Sequence, residues 1–346
     1  MRNYFVKIFL AIIAAICASV GIASTENGQR STINPKINEI LQKALVHGVE
    51  KFKAKSALGV ILDATNSELL ASVSVGGNDL VTRSNYENAA ALRIITYTQA
   101  LESGIVMPST VLHIGDSPRI GQSALKDLEP AEKDLTVADA FVAASNVATT
   151  KLALKIGPSA QRAFFEKLHQ LTPIETGSGS TIAPAYHPKW DENDAAAIGF
   201  GHGVANSPLH AVAAVASIIN GGLVIPTFVK KPYVAGPLVV GGQTSETITK
   251  LLAKNAERGR ARHADLPVVH VAAVTATTEK INDGHSAAGR IQCEIIAVSP
   301  TEKPRYVVLV LMDEPEDFDS TAPSASTAGV VAAEFFRAAG PLVGLK

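Results

Sequence analysis

The chain has 346 residues, 47% of them hydrophobic, enough for one large domain or two modest ones with a well-buried core. With 31 Lys and Arg against 32 Asp and Glu, the formal net charge is -1, which excludes a nucleic-acid-binding surface or an acidic tail as the organising feature. Two cysteines cannot make a disulfide framework, and the nine scattered histidines offer no metal-ligand spacing, so no metal and no other cofactor is expected.

Residues 1–24 place Arg2 and Lys7 ahead of an apolar run from Ile8 to Ala23, the pattern of an export signal. Gly21 and Ala23 supply small residues for cleavage, whereas Phe5 and Val6 extend the run toward the roughly 20 residues of a spanning helix. A cleaved signal peptide and an uncleaved membrane anchor both follow from this pattern. Either way the remainder is expected in the periplasm, or on the periplasmic side of the inner membrane. Cys17 falls inside the run, which leaves Cys293 alone in the exported part as a small core residue.

Residues 25–36 read as a polar linker, and residues 37–346 as one domain. Ile37, Ile40, Leu41, Ala44, Leu45, Val49 and Phe52 recur at helical spacing. "SALGVILDATNSELLASVS" sets two β-rich runs around a turn, the pattern of a hairpin. A helix is expected from Ala89 to Gly104, and a second across "TVADAFVAASNVATTKLALKIG", started by Thr136 and Asp139 and stopped by Gly157. A short helix around "QRAFFEKLHQL" and an apolar helix after the turn "GFGHGV" follow. The last third carries three strand-like runs, "VVHVAAVTATTEKI", "RIQCEIIAVSP" and "PRYVVLVLMDEP", and a closing helix in "AGVVAAEFFRAAG". This order predicts an α/β domain whose sheet is assembled from both ends of the chain.

From Ile37 to Leu345 the chain resembles the transpeptidase domain of class B penicillin-binding proteins, most closely the septal, cell-division type. "GVILDATNSELLASVS", "LTVADAFVAASNVATTKLALKIG", "YHPKWDENDAAAIGFGHGVANSPLHAVAAVASIINGGLVIPT" and "PRYVVLVLMDEP" carry the resemblance, in order and at family spacing. It implies a penicillin-binding protein/β-lactamase-like fold, a mainly antiparallel sheet flanked by helices with a helical subdomain. The N-terminal pedestal domain of class B proteins has no counterpart between residues 24 and 37.

The resemblance also places three motifs in one cleft. The S-x-x-K pair, a serine nucleophile and a lysine one helical turn on, falls at Ala90 and Arg93. Alanine carries no nucleophile, and arginine stays protonated far above neutral pH and cannot serve as a base. S-x-N falls at Ala144 and Asn146, keeping only the asparagine. K-T-G-T falls at Val274, Thr275, Ala276 and Thr277, losing the lysine and the glycine. Ala90, Ala144 and Val274 are expected to converge. No catalytic group is intact at these positions, and Asn146, Thr275 and Thr277 remain as candidate peptide contacts.

A literal S-x-x-K at Ser123 and Lys126 is the alternative nucleophile, on a pattern of two fixed letters that arises readily by chance. Tyr86 and Asn88 imitate a Y-x-N second motif. His202, with no acid or metal ligand beside it in the sequence, reads as a turn residue, and Lys254–His263 as a solvated helix end. The expectation is a catalytically inactive member acting as scaffold, regulator or peptide sensor in peptidoglycan synthesis or cell division. Its partners would be stem peptides or cell-wall and division proteins, with the membrane added if the first segment is retained. The alternative is an active D,D-transpeptidase or carboxypeptidase with an unconventional site.

Overall fold

The computed structural model describes residues 30–343, apart from 116–117, 121–122, 128–133, 265, 268–269 and 283–284. The export segment 1–24 lies outside the described residues. The linker expected to end at residue 36 is bound to the domain as far back as Arg30, whose carbonyl accepts from Lys230 N–H at 2.8 Å.

Five strands form the main sheet: β1 Ser56–Asp63, β2 Glu68–Val75, β3 Ala272–Asn282, β4 His285–Ser299 and β5 Tyr306–Asp313. Their order is β2-β1-β5-β4-β3, antiparallel throughout, so the chain's two ends interleave and β3 is left at an edge. All residues of β1 and β5 are buried, as central strands covered on both faces require.

Side-chain alternation assigns the faces. On one face Ile61, Cys293, Ile295, Val308 and Val310 pack under helix α1 (Pro35–Phe52) and the C-terminal helix. The α1 stripe is buried at Ile37, Leu41, Ala44, Leu45 and Phe52, with Ile40 and Val49 at its margin. Gly48 is where α1 meets the C-terminal helix most closely, since a Cβ there would lie 2.4 Å from Val331 Cγ2. The free Cys293 is buried in this layer, and burial pushes its thiol pKa up.

The other face, with Leu58, Val60, Leu62, Val274, Leu309 and Leu311, packs against the helical middle of the chain. That part comprises α2 Ala89–Glu102, α3 Val137–Val142, α4 Asn146–Ile156, α5 Pro158–Lys167, α6 Glu192–Phe200, α7 Pro208–Asn220 and α8 Gly242–Arg258; the C-terminal helix is α9 Val330–Ala339. α2 packs on β3 and β4, α7 on β1 and β5, and α8 on β3.

Two local expectations need correction. The helix predicted from Thr136 to Gly157 is two helices, broken at Ala143–Ser145, where Ala144 takes φ 56°. Alanine propensity favoured continuity, but Ser145 caps α4, its Oγ accepting from Ala148 N–H at 3.0 Å. His202 does have an acid partner, since its Nδ1 lies 2.7 Å from Glu87 Oε2. The glycines beside it make the expected tight turn, Gly201 at φ 110° and Gly203 at φ 85°.

Candidate functional site

α2 starts without help from its own cap residue. Asn88 spends its amide elsewhere, Nδ2 donating to Asn206 O at 3.0 Å and Asn206 Oδ1 at 2.9 Å. The first-turn N–H groups of a helix have no intrahelical partner, so Ala90 N–H needs an acceptor. Glu294 supplies it from β4, accepting at 3.0 Å through Oε2. This carboxyl is fully buried, and its Oε1 has no hydrogen-bond partner. Burial pushes its pKa up to about 8, against the Ala90 N–H and the Arg93 charge, which favour the anion. At neutral pH Glu294 is therefore mostly the neutral acid.

One turn along α2, Arg93 is 7% exposed and donates from Nη2 to Asn146 Oδ1 at 3.0 Å. Its Nε is buried without a partner, and burial lowers the guanidinium pKa. Asn146 opens α4. The turn that presents it is held by Asp127, whose carboxylate accepts from Ser145 Oγ at 2.6 Å and from Val147 N–H at 3.0 Å. Asp127 thus caps α4 from outside and adds a negative charge at the positive end of the helix.

These groups face β3 across a cleft lined by Arg93, Asp127, Ala144, Asn146, Arg260, Thr275, Ala276 and Thr277, and bordered by Thr321–Ala325. Its volume is about 120 Å³, below the roughly 300–1,000 Å³ of ordinary ligand pockets. The bordering segment is fastened at both ends. Arg260 Nη1 donates to Thr321 O at 3.0 Å, and Ser324 Oγ lies 2.7 Å from Thr277 Oγ1 while donating to Ala276 O.

The motif positions therefore separate into two sets. Arg93, Ala144, Asn146, Thr275, Ala276 and Thr277 share the cleft. Ala90 and Val274, expected there too, are fully buried in the core layer under α2 and do not line it. Both side chains are apolar and pack in the core instead of facing solvent. Ser123 lies on a two-residue strand, Ser123–Ala124, paired with Arg119–Ile120; Lys126 is exposed and does not line the cleft. Tyr86 pairs with Asn206 beside the start of α2. Among the described residues no group of three or more His, Cys, Asp or Glu is placed to hold a metal ion.

Four participants were absent from the sequence reading: Glu294, Asp127, Arg260 and Ser324. Glu294 had left a signal, a lone acid inside the apolar run "RIQCEIIAVSP". Arg260 had none, because the basic run from Lys254 to His263 looks alike throughout; in the fold it ends α8 and forms a 3₁₀ turn, Arg260–Ala264, at the cleft.

An edge strand thus faces the start of a buried helix, with a helix-capping turn as the third wall. A family model of the penicillin binding protein transpeptidase domain matches residues 57–339, and the chain belongs to that family. It is 27% identical over 87% of its length to the probable peptidoglycan D,D-transpeptidase FtsI of Caulobacter vibrioides, covering 56% of that protein. With FtsI of Escherichia coli it shares 24% identity over 85% of this chain and 54% of the relative. The chain thus spans about half the length of these relatives. The transpeptidase domain of Burkholderia pseudomallei penicillin-binding protein 3 superposes with a TM-score of 0.84 at 22% identity, over 93% of this chain and 98% of that one. The antiparallel sheet with its helical subdomain is the fold of that domain.

Proposed function

We propose that this protein is a catalytically inactive, penicillin-binding-protein-like envelope protein that acts as a scaffold or regulator in peptidoglycan synthesis or cell division. The observation that carries this reading is the contact between Ala90 and Glu294. Acyl transfer by this family requires a nucleophile at the start of α2, and acylation needs backbone N–H groups free to stabilise the developing oxyanion. The Ala90 side chain has no heteroatom, and the residue's N–H is already bonded to a buried carboxyl. Arg93 cannot accept a proton near neutral pH and is engaged by Asn146.

Between scaffold and peptide sensor, the cleft favours the scaffold. Two of the atoms expected to contact a peptide, Asn146 Oδ1 and Thr277 Oγ1, already have partners within the chain, Arg93 and Ser324. The partner would then engage the outer surface of the domain.

The experiment is incubation with a fluorescent penicillin followed by denaturing electrophoresis. No labelled band is expected; a band that survives denaturation would overturn the reading, and mapping it to Ser123 would establish the unconventional enzyme.

A further inference from the structure

The point at which the described chain begins lies beside one exposed loop. Lys230 N–H donates to Arg30 O at 2.8 Å, Thr32 N–H donates to Phe228 O at 3.0 Å, and Ser31 bridges Val229. The first described residue, Arg30, therefore lies next to Lys230. Ala23 and Arg30 are seven residues apart, a reach of at most about 25 Å for fully extended chain.

The loop itself, Lys230–Leu238, reads "KKPYVAGPL" and has exposed side chains from Lys230 to Ala235. Val234 is 82% exposed, Leu238 72% and Tyr233 41%. Neither lysine forms an ion pair among the described residues. The loop is pinned from below: Leu223 N–H donates to Pro237 O at 2.9 Å, Gly222 bridges Leu238, and a Cβ on Gly236 would lie 2.2 Å from Leu223 O. Pro232 and Pro237 further restrict the backbone. The apolar side chains are thus held outward instead of folding back.

Singly exposed apolar residues are ordinary. Here two lysines, a tyrosine and two aliphatic side chains share one rigid loop at the exit of an apolar segment. That chemistry matches a bilayer surface, with ammonium groups at anionic headgroups, the phenol at headgroup level and the aliphatics at the acyl boundary.

We propose that Lys230–Leu238 is a membrane-docking surface, seated on an anionic phospholipid bilayer and held within reach of it by the retained apolar run at residues 8–23. Docking here is independent of whether the cleft is catalytic. It would lay the domain against the membrane, where no pedestal intervenes between run and fold.

The test uses the full chain reconstituted in vesicles, with an environment-sensitive nitrobenzoxadiazole probe at Val234→Cys in a Cys17→Ala background; Cys293 is buried and stays unlabelled. Expected are blue-shifted emission and quenching by shallow doxyl-labelled lipids in vesicles containing phosphatidylglycerol, and much weaker quenching in pure phosphatidylcholine. Lys230→Glu and Lys231→Glu should each weaken loop association at least roughly fivefold, the equivalent of one surface lysine. Water-like, unquenched emission while the chain co-floats with vesicles would overturn the proposal. So would self-quenching of the probe that rises with protein density, which would mean that a second copy covers the loop. A chain that loses the apolar run and no longer co-floats would overturn it as well.

Discussion

Glu294 accepts the Ala90 N–H at 3.0 Å, linking the middle of strand β4 to the first turn of helix α2 through a buried carboxyl. On the reading proposed above, this single bond occupies the backbone donor at the position expected of the nucleophile.

The same bond makes stability depend on pH. The folded-state pKa of Glu294 is pushed up to about 8 from 4.5, so the native state binds a proton that the unfolded chain releases. Its contribution is fully present below about 4.5 and is lost as pH rises through about 8, by an amount on the order of a few kcal/mol. His210 behaves oppositely. Buried between Ser207 and Thr172, its pKa falls from 6.5 to about 4, so its contribution is present above 6.5 and lost as pH drops through 4. Denaturant titrations between pH 6.5 and 8 therefore isolate the acid: stability should fall with pH in the native chain and stay level in Glu294→Gln, which keeps the acceptor without the charge. Equal slopes would mean that Glu294 does not titrate in this range.

Ala144 gives a second measurable consequence. A non-glycine residue in the left-handed region costs about 1–2 kcal/mol, and Ala144 sits there at φ 56° to turn the chain between α3 and α4. Ala144→Gly relieves that cost against a smaller loss from unfolded-chain freedom. The variant should be more stable by about 0.5–1 kcal/mol, read as a higher denaturation midpoint with unchanged slope. A destabilised variant would show that the Ala144 methyl packs usefully in the cleft wall.

The sheet, its hairpin and the long helices were legible in the sequence because each has its own period. "PRYVVLVLMDEP" is an uninterrupted apolar run, and it is the central strand β5, buried on both faces. The break between α3 and α4 was hidden because alanines at 143 and 144 read as helix, and the capping carboxylate of Asp127 comes from an earlier loop. Arg93 and Asn146, two of the expected motif positions, meet although 53 positions apart. What spacing could not give is direction. Nothing in "HVAAVTATTEKI" says that Val274 turns inward, or that Ser324, 48 positions beyond Ala276, reaches back to its carbonyl.

Ligand binding follows from that reach-back. Stem peptides ending in D-alanyl-D-alanine should show no heat of binding to the native protein in calorimetry, because Ser324 and Arg260 hold Thr321–Ala325 over the β3 edge. Ser324→Ala removes both of its contacts to β3 and should lower stability by about 1–3 kcal/mol. Measurable affinity in the native protein, weakened by Asn146→Ala, would replace the scaffold with the sensor.

Repair of the cleft tests whether the losses act together. Ala90→Ser alone should leave the protein inert toward fluorescent penicillin, because a serine hydroxyl is a poor nucleophile until a base takes its proton, and Arg93 is no base. Adding Arg93→Lys supplies the base, Ala144→Ser the relay, Ala276→Gly the room along β3, and Val274→Lys the motif's lysine, placed in the buried layer beside the cleft. Glu294 must still be removed. While its carboxyl holds the position-90 N–H, that donor is unavailable to an oxyanion, and losing one such donor typically costs about a hundredfold to a thousandfold in rate. Glu294→Ala frees the N–H, so labelling should appear when this change joins the other five and remain far weaker in the five without it. The dependence should be strongly non-additive, since groups that act as a unit do not contribute separately. If Ala90→Ser by itself were labelled at a useful rate in the presence of Glu294, the buried carboxyl would be no obstacle to acylation, and neither Arg93 nor Glu294 would be what disables the cleft.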